Sequence, residues 1–428
     1  MVNRFDIAAG DRPALDQFIM RERADVDDVE SIVRGIITQV RSDGFAALSQ
    51  FTANYDRIDI DEMSVKFTAD DIDAAVGQCD AQDLQALEFA AARIRAFHEQ
   101  QIPQDASYKD DVGVMLGWRW TCVDSAGLYA PGGRAAYPSS VLMNAIPAKV
   151  AGVPRLALVT PTPDGVINPL VLAAAKIAGV DEIYRVGGAQ AIAALAYGAG
   201  PIAPVDVIVG PGNSYVAEAK RQVFGVVGID SIAGPSEILV VADAQNDPAW
   251  IAADLLSQAE HDPSSQSILI TDNAAFADAV CESVDQQIKE YPRREITTAS
   301  WHDNGAVVLV GQMKDSAAII NFIAPEHLEL AVDDPDQYLS DIRHAGAIFL
   351  GRYTPEALGD YVAGPDHVLP TSRTARYASG LSVIDFLKRT SLIGCDEAAF
   401  NAISMPAARL ADAEGLPAHA QSIRVRTK

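Results

Sequence analysis

The chain has 428 residues, 49% apolar and 21% charged, with a formal net charge of −25 at pH 7. This is a globular composition, and the length allows about two to four domains. So acidic a surface repels polyphosphates and anionic lipid, which argues against nucleic acid or membrane as partners.

Residues 1–25 read as an N-terminal arm without the apolar core of a secretory leader. No apolar run approaches the roughly 18 residues that a membrane span needs. Cys79, Cys122, Cys281 and Cys395 form no CxxC pair and suit free thiols in a reducing compartment, so a cytoplasmic location is expected. Residues 25–54 predict a helix capped by Asp25, with Val26, Val29, Ile32, Val33, Ile36, Ile37 and Val40 at helical spacing and Gly44 interrupting. The alanine-rich stretch 69–100 predicts one or two more helices, ending before Pro103. Residues 112–123 are β-rich and lead into the loop Gly127-Leu-Tyr-Ala-Pro-Gly-Gly133.

From 138 onward the pattern alternates. Helices are predicted over 139–151, 168–178, 189–197 and 213–224, with strands at Leu156–Val159, Glu182–Val186, Val205–Val209 and Glu237–Val241. The rhythm returns with helices 248–260, 273–290 and 314–322 and strands Ser267–Thr271, Ala306–Val310 and Gly346–Leu350. Short apolar strands spaced by helices predict parallel sheets. The fold class is therefore α/β: two Rossmann-like parallel-sheet domains without a GxGxxG fingerprint, flanked by helical N-terminal and C-terminal extensions. The tail beyond 390 reads as helical, broken by Gly415 and Pro417, and ends on Arg424, Arg426 and Lys428.

Histidine is scarce, at seven residues, yet three of the seven fall in one polar set: Gln258, His261, Glu326, His327, Asp360, Glu414 and His419. Asp247 and Pro248 start a helix whose last turn would place Gln258 and His261, at i and i+3, on one face as half of a metal site. An imidazole stabilising the helix C-terminus explains His261 equally. Glu326-His327 joins a carboxylate to an imidazole able to take a proton near neutrality, or it is a helix-start glutamate beside a surface histidine. Asp360 in a loop and the tail pair Glu414 and His419 are, singly, ordinary solvated groups. Gly187-Gly-Ala-Gln190, Gly210-Pro-Gly-Asn213 and Gly234-Pro-Ser-Glu237 are strand-associated turns, placed either for ligand binding or simply as tight turns. No phosphate-binding P-loop is present. Cys122 lacks a base partner and reads as a structural thiol.

In chain order, Tyr129-Ala-Pro-Gly-Gly133, Val186-Gly-Gly-Ala-Gln190, Val209-Gly-Pro-Gly-Asn213, Ala233-Gly-Pro-Ser-Glu237, Ser257-Gln-Ala-Glu-His-Asp262, Ala324-Pro-Glu-His-Leu328 and Glu414-Gly-Leu-Pro-Ala-His419 resemble the histidinol dehydrogenase family along nearly the whole chain. The resemblance implies a zinc- and NAD-dependent oxidation of L-histidinol to L-histidine through L-histidinal. It implies zinc on Gln258, His261, Asp360 and His419. Substrate contacts would come from Ser236, Gln258, His261, Glu326, His327, Asp360, Glu414 and His419, and NAD contacts from Tyr129, Gln190 and Asn213. His327 would act as base and Glu326 would activate water. It also implies a homodimer whose crossed tails share the active sites. The corresponding division is an arm at 1–25, a larger domain of 26–128 plus 237–381 with most zinc and catalytic residues, a second domain of 129–236 for NAD, and a tail of 382–428. A related dehydrogenase for another small alcohol, a zinc hydrolase using Glu326 as base, and a non-catalytic binding protein are the alternatives.

Overall fold

The computed structural model describes residues 2–21, 27–132, 137–232 and 234–427. The expected cap Asp25, with Val26, the motif members Gly133 and Ala233, and the terminal Lys428 lie outside them. The strands, in chain order, are β1 (Asn3–Asp6), β2 (Ala106–Lys109), β3 (Met115–Cys122), β4 (Ser125–Tyr129), β5 (Arg155–Val159), β6 (Glu182–Tyr184), β7 (Val207–Val209), β8 (Gly228–Ile229), β9 (Glu237–Ala242), β10 (Gln266–Thr271), β11 (Ala306–Leu309), β12 (His327–Ala331), β13 (Ala347–Leu350) and β14 (Leu387–Gly394).

Two parallel sheets carry the fold. One has the order β6-β5-β4-β7-β8, the other β1-β11-β10-β9-β12-β13. Numbered within each unit, both read 3-2-1-4-5, the doubly wound order, with β1 added at one edge of the second. The duplication is one of topology, for which the sequence offers no visible repeat. Side chains alternate between two cores in each sheet, as a strand period of two requires. Leu156 and Leu158 enter one core, while Ala157 and Val159 enter the other. Leu239 and Val241 face away from Ile238 and Val240 in the same manner. Apolar side chains on both faces are what a parallel sheet needs when helices cover it twice.

The predicted helices appear with small boundary shifts. The 25–54 pattern becomes Asp27–Asp43 and Phe45–Asp56, divided at Gly44, whose φ of 60° and ψ of −128° only glycine adopts easily. The 69–100 stretch becomes Ala69–Val76, started by a Thr68/Asp71 capping box, and Ala81–Glu99. By packing, these four helices go with the five-stranded sheet. Val33, Ile37 and Leu48 share a core with Ala157 and Val159, and Ala91 and Ile94 share one with Leu128. The N-terminal arm is a working part of the other sheet. β1 pairs with β11, and Leu15, Phe18 and Ile19 of helix Arg12–Met20 enter its core.

Among the elements that escaped the sequence pattern are the strands β1, β2, β4, β8, β12 and β14 and the helices Arg12–Met20, Arg294–Asn304 and Glu356–Tyr361; β14 runs into the tail expected to be helical beyond 390. β14 pairs antiparallel with β3, which pairs with β2, making a three-stranded sheet. The tail continues as helices Glu397–Ala413 and Pro417–Arg424, turned at Gly415 with φ 73°. Among the described residues, no helix is long and apolar enough to cross a membrane.

Trp301, 1% exposed, is the largest fully buried side chain of the six-stranded half. Trp301→Ala is expected to lower unfolding free energy by about 3–5 kcal/mol. Urea denaturation followed by circular dichroism checks this, and a change under about 1 kcal/mol contradicts the packing account.

Candidate active site

A cleft of about 1050 Å³ separates the two sheets. Each sheet meets it with the opposite edge. The five-stranded sheet presents the C-terminal ends of its strands: Pro131 after β4, Pro211 to Ser214 after β7, and Ile232 after β8. That is the ordinary ligand edge of such a sheet, and β4 and β7 are its switch point. The six-stranded sheet presents its N-terminal edge. Ser236 and Glu237 open β9, Glu326 and His327 open β12, and Gln258 and His261 come from the C-terminal end of the helix Pro248–Ala259. Asp360 and Tyr361 end the helix Glu356–Tyr361 on the same side.

Glu326-His327 sits at a strand start, not a helix start, and both side chains are buried, at 6% and 4% exposure. The helix Ser316–Ile323 ends at Ala324 in the left-handed region, φ 49°, and Pro325 follows. The chain therefore turns directly into β12. There His327 registers with Ile238 and Ala347. One residue of the neighbouring strand holds both side chains. The Glu237 N–H donates to Glu326 Oε2 at 2.9 Å, and the Glu237 carbonyl lies 2.9 Å from His327 Nδ1. A carbonyl only accepts, so Nδ1 carries the proton and Nε2 keeps its lone pair. Nε2 has no hydrogen-bond partner and lies 3.6 Å from Glu356 Oε1.

Burial lowers the His327 pKa, so the ring is neutral at pH 7 and able to accept a proton. Burial raises Glu326 well above the usual carboxylate range, opposed by its hydrogen bond from Glu237. Glu356 is pushed up to about 9 by burial and then by the charge of Asp360. His261 is lowered by burial, which keeps its lone pair free. Donor atoms of His327, Glu356 and Asp360 lie within 4.8 Å of one another. Gln258 Oε1 is buried without a hydrogen-bond partner. An inward-facing acceptor left unsatisfied is costly unless something electropositive meets it.

The structure thus brings Ser236, Gln258, His261, Glu326, His327, Asp360 and Asn213 to one cleft. Asn213 also caps the helix Ser214–Val223 through its Oδ1. Tyr129 and Gln190 are buried and do not line the cleft; Tyr129 Oη accepts the Gly188 N–H at 3.2 Å. Glu414 and His419 are exposed on the tail, away from the cleft of their own chain. Sequence reasoning missed Glu356, Glu237 and His367. His367 Nδ1 lies 3.0 Å from the Asp360 carbonyl and its Nε2 3.1 Å from Ser140 Oγ, joining the two halves. No spacing marks these residues. Only the scarcity of histidine could have drawn attention to His367.

Fold and cleft define a doubly wound α/β protein with carboxylates, imidazoles and a His327, Glu356 and Asp360 group that could hold a metal ion gathered between two parallel sheets. The family model for histidinol dehydrogenase matches residues 19–427. The chain is 60% identical over 415 residues to histidinol dehydrogenase of Rhodospirillum rubrum, covering 97% of this chain and 96% of that one. It is 61% identical over 405 residues to that of Ruegeria pomeroyi, covering 95% and 94%. The crystal structure of histidinol dehydrogenase from Elizabethkingia anophelis superposes with a TM-score of 0.94 at 33% identity, covering 99% and 98%. The chain belongs to the histidinol dehydrogenase family and is an oxidoreductase serving the last steps of histidine biosynthesis.

The β12 start is braced from its other side. Gly346 N–H donates to the Pro325 carbonyl and Ala347 N–H to the Glu326 carbonyl, both at 2.9 Å, and a Cβ on Gly346 would lie 2.5 Å from that Glu326 oxygen. Gly346→Ala is expected to cut turnover by about tenfold or more through displacement of the Glu326-His327 pair. Steady-state kinetics beside an unchanged circular dichroism spectrum checks this; normal turnover contradicts it.

Proposed function

We propose that the chain oxidises L-histidinol to L-histidine through L-histidinal in the cytoplasm, reducing two NAD and using zinc. The observation that carries the reading is the Glu326-His327 pair. Its imidazole is held neutral with Nε2 open, beside the unsatisfied Gln258 Oε1.

The donor chemistry fits a zinc ion. Gln258 offers a bare oxygen, His261 a neutral imidazole and Asp360 a carboxylate. His419 would complete the set from a second copy, because it lies outside its own chain's cleft, and Glu414 would join the substrate site with it. Helices Glu397–Ala413 and Pro417–Arg424 leave Met405, Leu410, Leu416 and Val425 exposed, which suits a tail that seats on another subunit. NAD fits the other wall. The Gly210–Asn213 turn brings Pro211, Gly212, Asn213 and Ser214 to the cleft at a helix start, where backbone N–H groups favour phosphate. Tyr129 ends β4, and Gln190 lies in the first turn of the helix Gly188–Tyr197 that follows β6. When bound, zinc supplies the charge that anchors the substrate and NAD the hydride acceptor.

This chain's own groups then handle protons and water. His327 Nε2 takes the alcohol proton as the C–H bond gives up its hydride, while the Glu237 carbonyl keeps the other ring nitrogen protonated. The aldehyde has a second hydride to give only as its hydrate. Glu326, whose affinity for a proton burial has raised, takes one from water as it adds. His327 takes a proton again in the second oxidation. Ser236 and Glu326 line the cleft at the substrate's flank. Held in the cleft by its contacts, the reactive aldehyde is retained between steps.

Zinc-loaded protein is expected to reduce about two NAD per histidinol and to lose this activity with a chelator. No histidinol-dependent NAD reduction would sink the assignment, and metal-dependent turnover without NAD would favour a hydrolase. For the shared site, mixing an inactive His419→Ala protein with an inactive His327→Asn protein is expected to restore activity. Absence of recovery after confirmed subunit exchange argues for a site complete within one chain.

A further inference from the structure

The Gly210–Asn213 turn is held from below by an ion pair that touches neither the cleft nor solvent. Lys220, on the last turn of the helix Ser214–Val223, and Asp230, just after β8, have side chains 2% and 3% exposed and are paired with each other. Lys220 Nζ donates to the Gly210 carbonyl at 3.0 Å. The Gly210 N–H donates to Asp230 Oδ2 at 2.8 Å. Both polar groups of one peptide residue are thus bound by the two ends of one buried charge pair, a closed ring at the point where β7 leaves the sheet. Asp230 is itself tied to β7 through its N–H to the Ile208 carbonyl at 3.3 Å.

The backbone at that point admits little else. Gly210 has φ 118°, and a Cβ there would lie 2.2 Å from the Tyr129 carbonyl and 2.8 Å from Asn144 Nδ2. Asn144 Nδ2 in turn donates to the Tyr129 carbonyl at 3.1 Å. The C-terminal ends of the switch-point strands β4 and β7 therefore pack closely against each other, each held by its own buried polar contacts. A buried ion pair is a poor source of stability, because desolvating two charges offsets most of their attraction. What it does well is fix geometry, since each charge has one low-energy arrangement and a large penalty elsewhere.

We infer that Lys220 and Asp230 are positioning residues for the cofactor, a clamp that sets the Gly210–Asn213 turn and thereby NAD affinity without contacting NAD. The inference rests on the NAD reading above. The double variant Lys220→Met/Asp230→Asn removes both charges together, leaves no orphaned ion, and keeps an acceptor for the Gly210 N–H. Calorimetric titration with NAD is expected to show binding weakened by about tenfold or more. The KM for NAD rises in parallel, while the KM for histidinol and the zinc content hold and kcat at saturating NAD falls far less. A merely structural role would instead lower all parameters together. If the double variant does not fold, Asp230→Asn alone decides by the same titration. Wild-type affinity for NAD in a folded variant overturns the clamp while leaving the NAD reading intact. A wild-type protein that does not bind NAD overturns both.

Discussion

The Glu237 peptide is the constraint on which the active centre depends. Its N–H holds Glu326 and its C=O holds His327, and both bonds exist only because β9 and β12 lie side by side in register. A hydrogen bond of this kind adds little to net stability. Its value lies in assigning the proton of a buried imidazole, and with it the ring nitrogen that keeps its lone pair. The order 3-2-1-4-5 puts these two strands together across about ninety residues of intervening chain. The site is in this sense a product of sheet topology.

The two sheets share that topology and use it from opposite edges. The five-stranded sheet offers the C-terminal strand ends and helix starts, where dipoles and free N–H groups suit an anionic cofactor. The six-stranded sheet offers its N-terminal edge, built from strand starts and helix C-termini. Helix C-termini and acidic side chains gather there, an environment that suits a cation. The direction in which each sheet runs thus gives the two walls of the cleft opposite electrostatic character, which is what the proposed placement of NAD and zinc uses. His367, bonded to Ser140 on one side and to the Asp360 carbonyl on the other, ties the walls together.

Polar burial behind the cleft is heavy. Glu329, Glu356 and Asp254 crowd one another beneath His327, and burial raises Glu329 well above the ordinary range and Asp254 to about 6. Such a cluster opposes its own ionisation. It persists because Glu329 accepts the Glu356 N–H, starting the short helix that carries Asp360, and because Ser257 Oγ donates to Glu356. Here stability has yielded to placement, as is common near reacting groups.

The sequence by itself determined the alternation of elements, the helix breaks at Gly44 and Gly415, the absence of a dinucleotide fingerprint and the ordered motifs that carry the family. These are local properties: apolar period, caps and residues with special φ are written in short windows. It did not reveal β12, because His-Leu-Glu-Leu-Ala carries polar residues on a face that is buried here, and a five-residue window cannot tell burial from exposure. Nor did it reveal Glu356, or the clamp of Lys220 and Asp230 around Gly210, whose members look like surface charges until two elements close over them. Only the tertiary structure decided which edge of each sheet faces the cleft and which ring nitrogen of His327 is free. Both depend on contacts between residues far apart in the chain, and no local pattern encodes them.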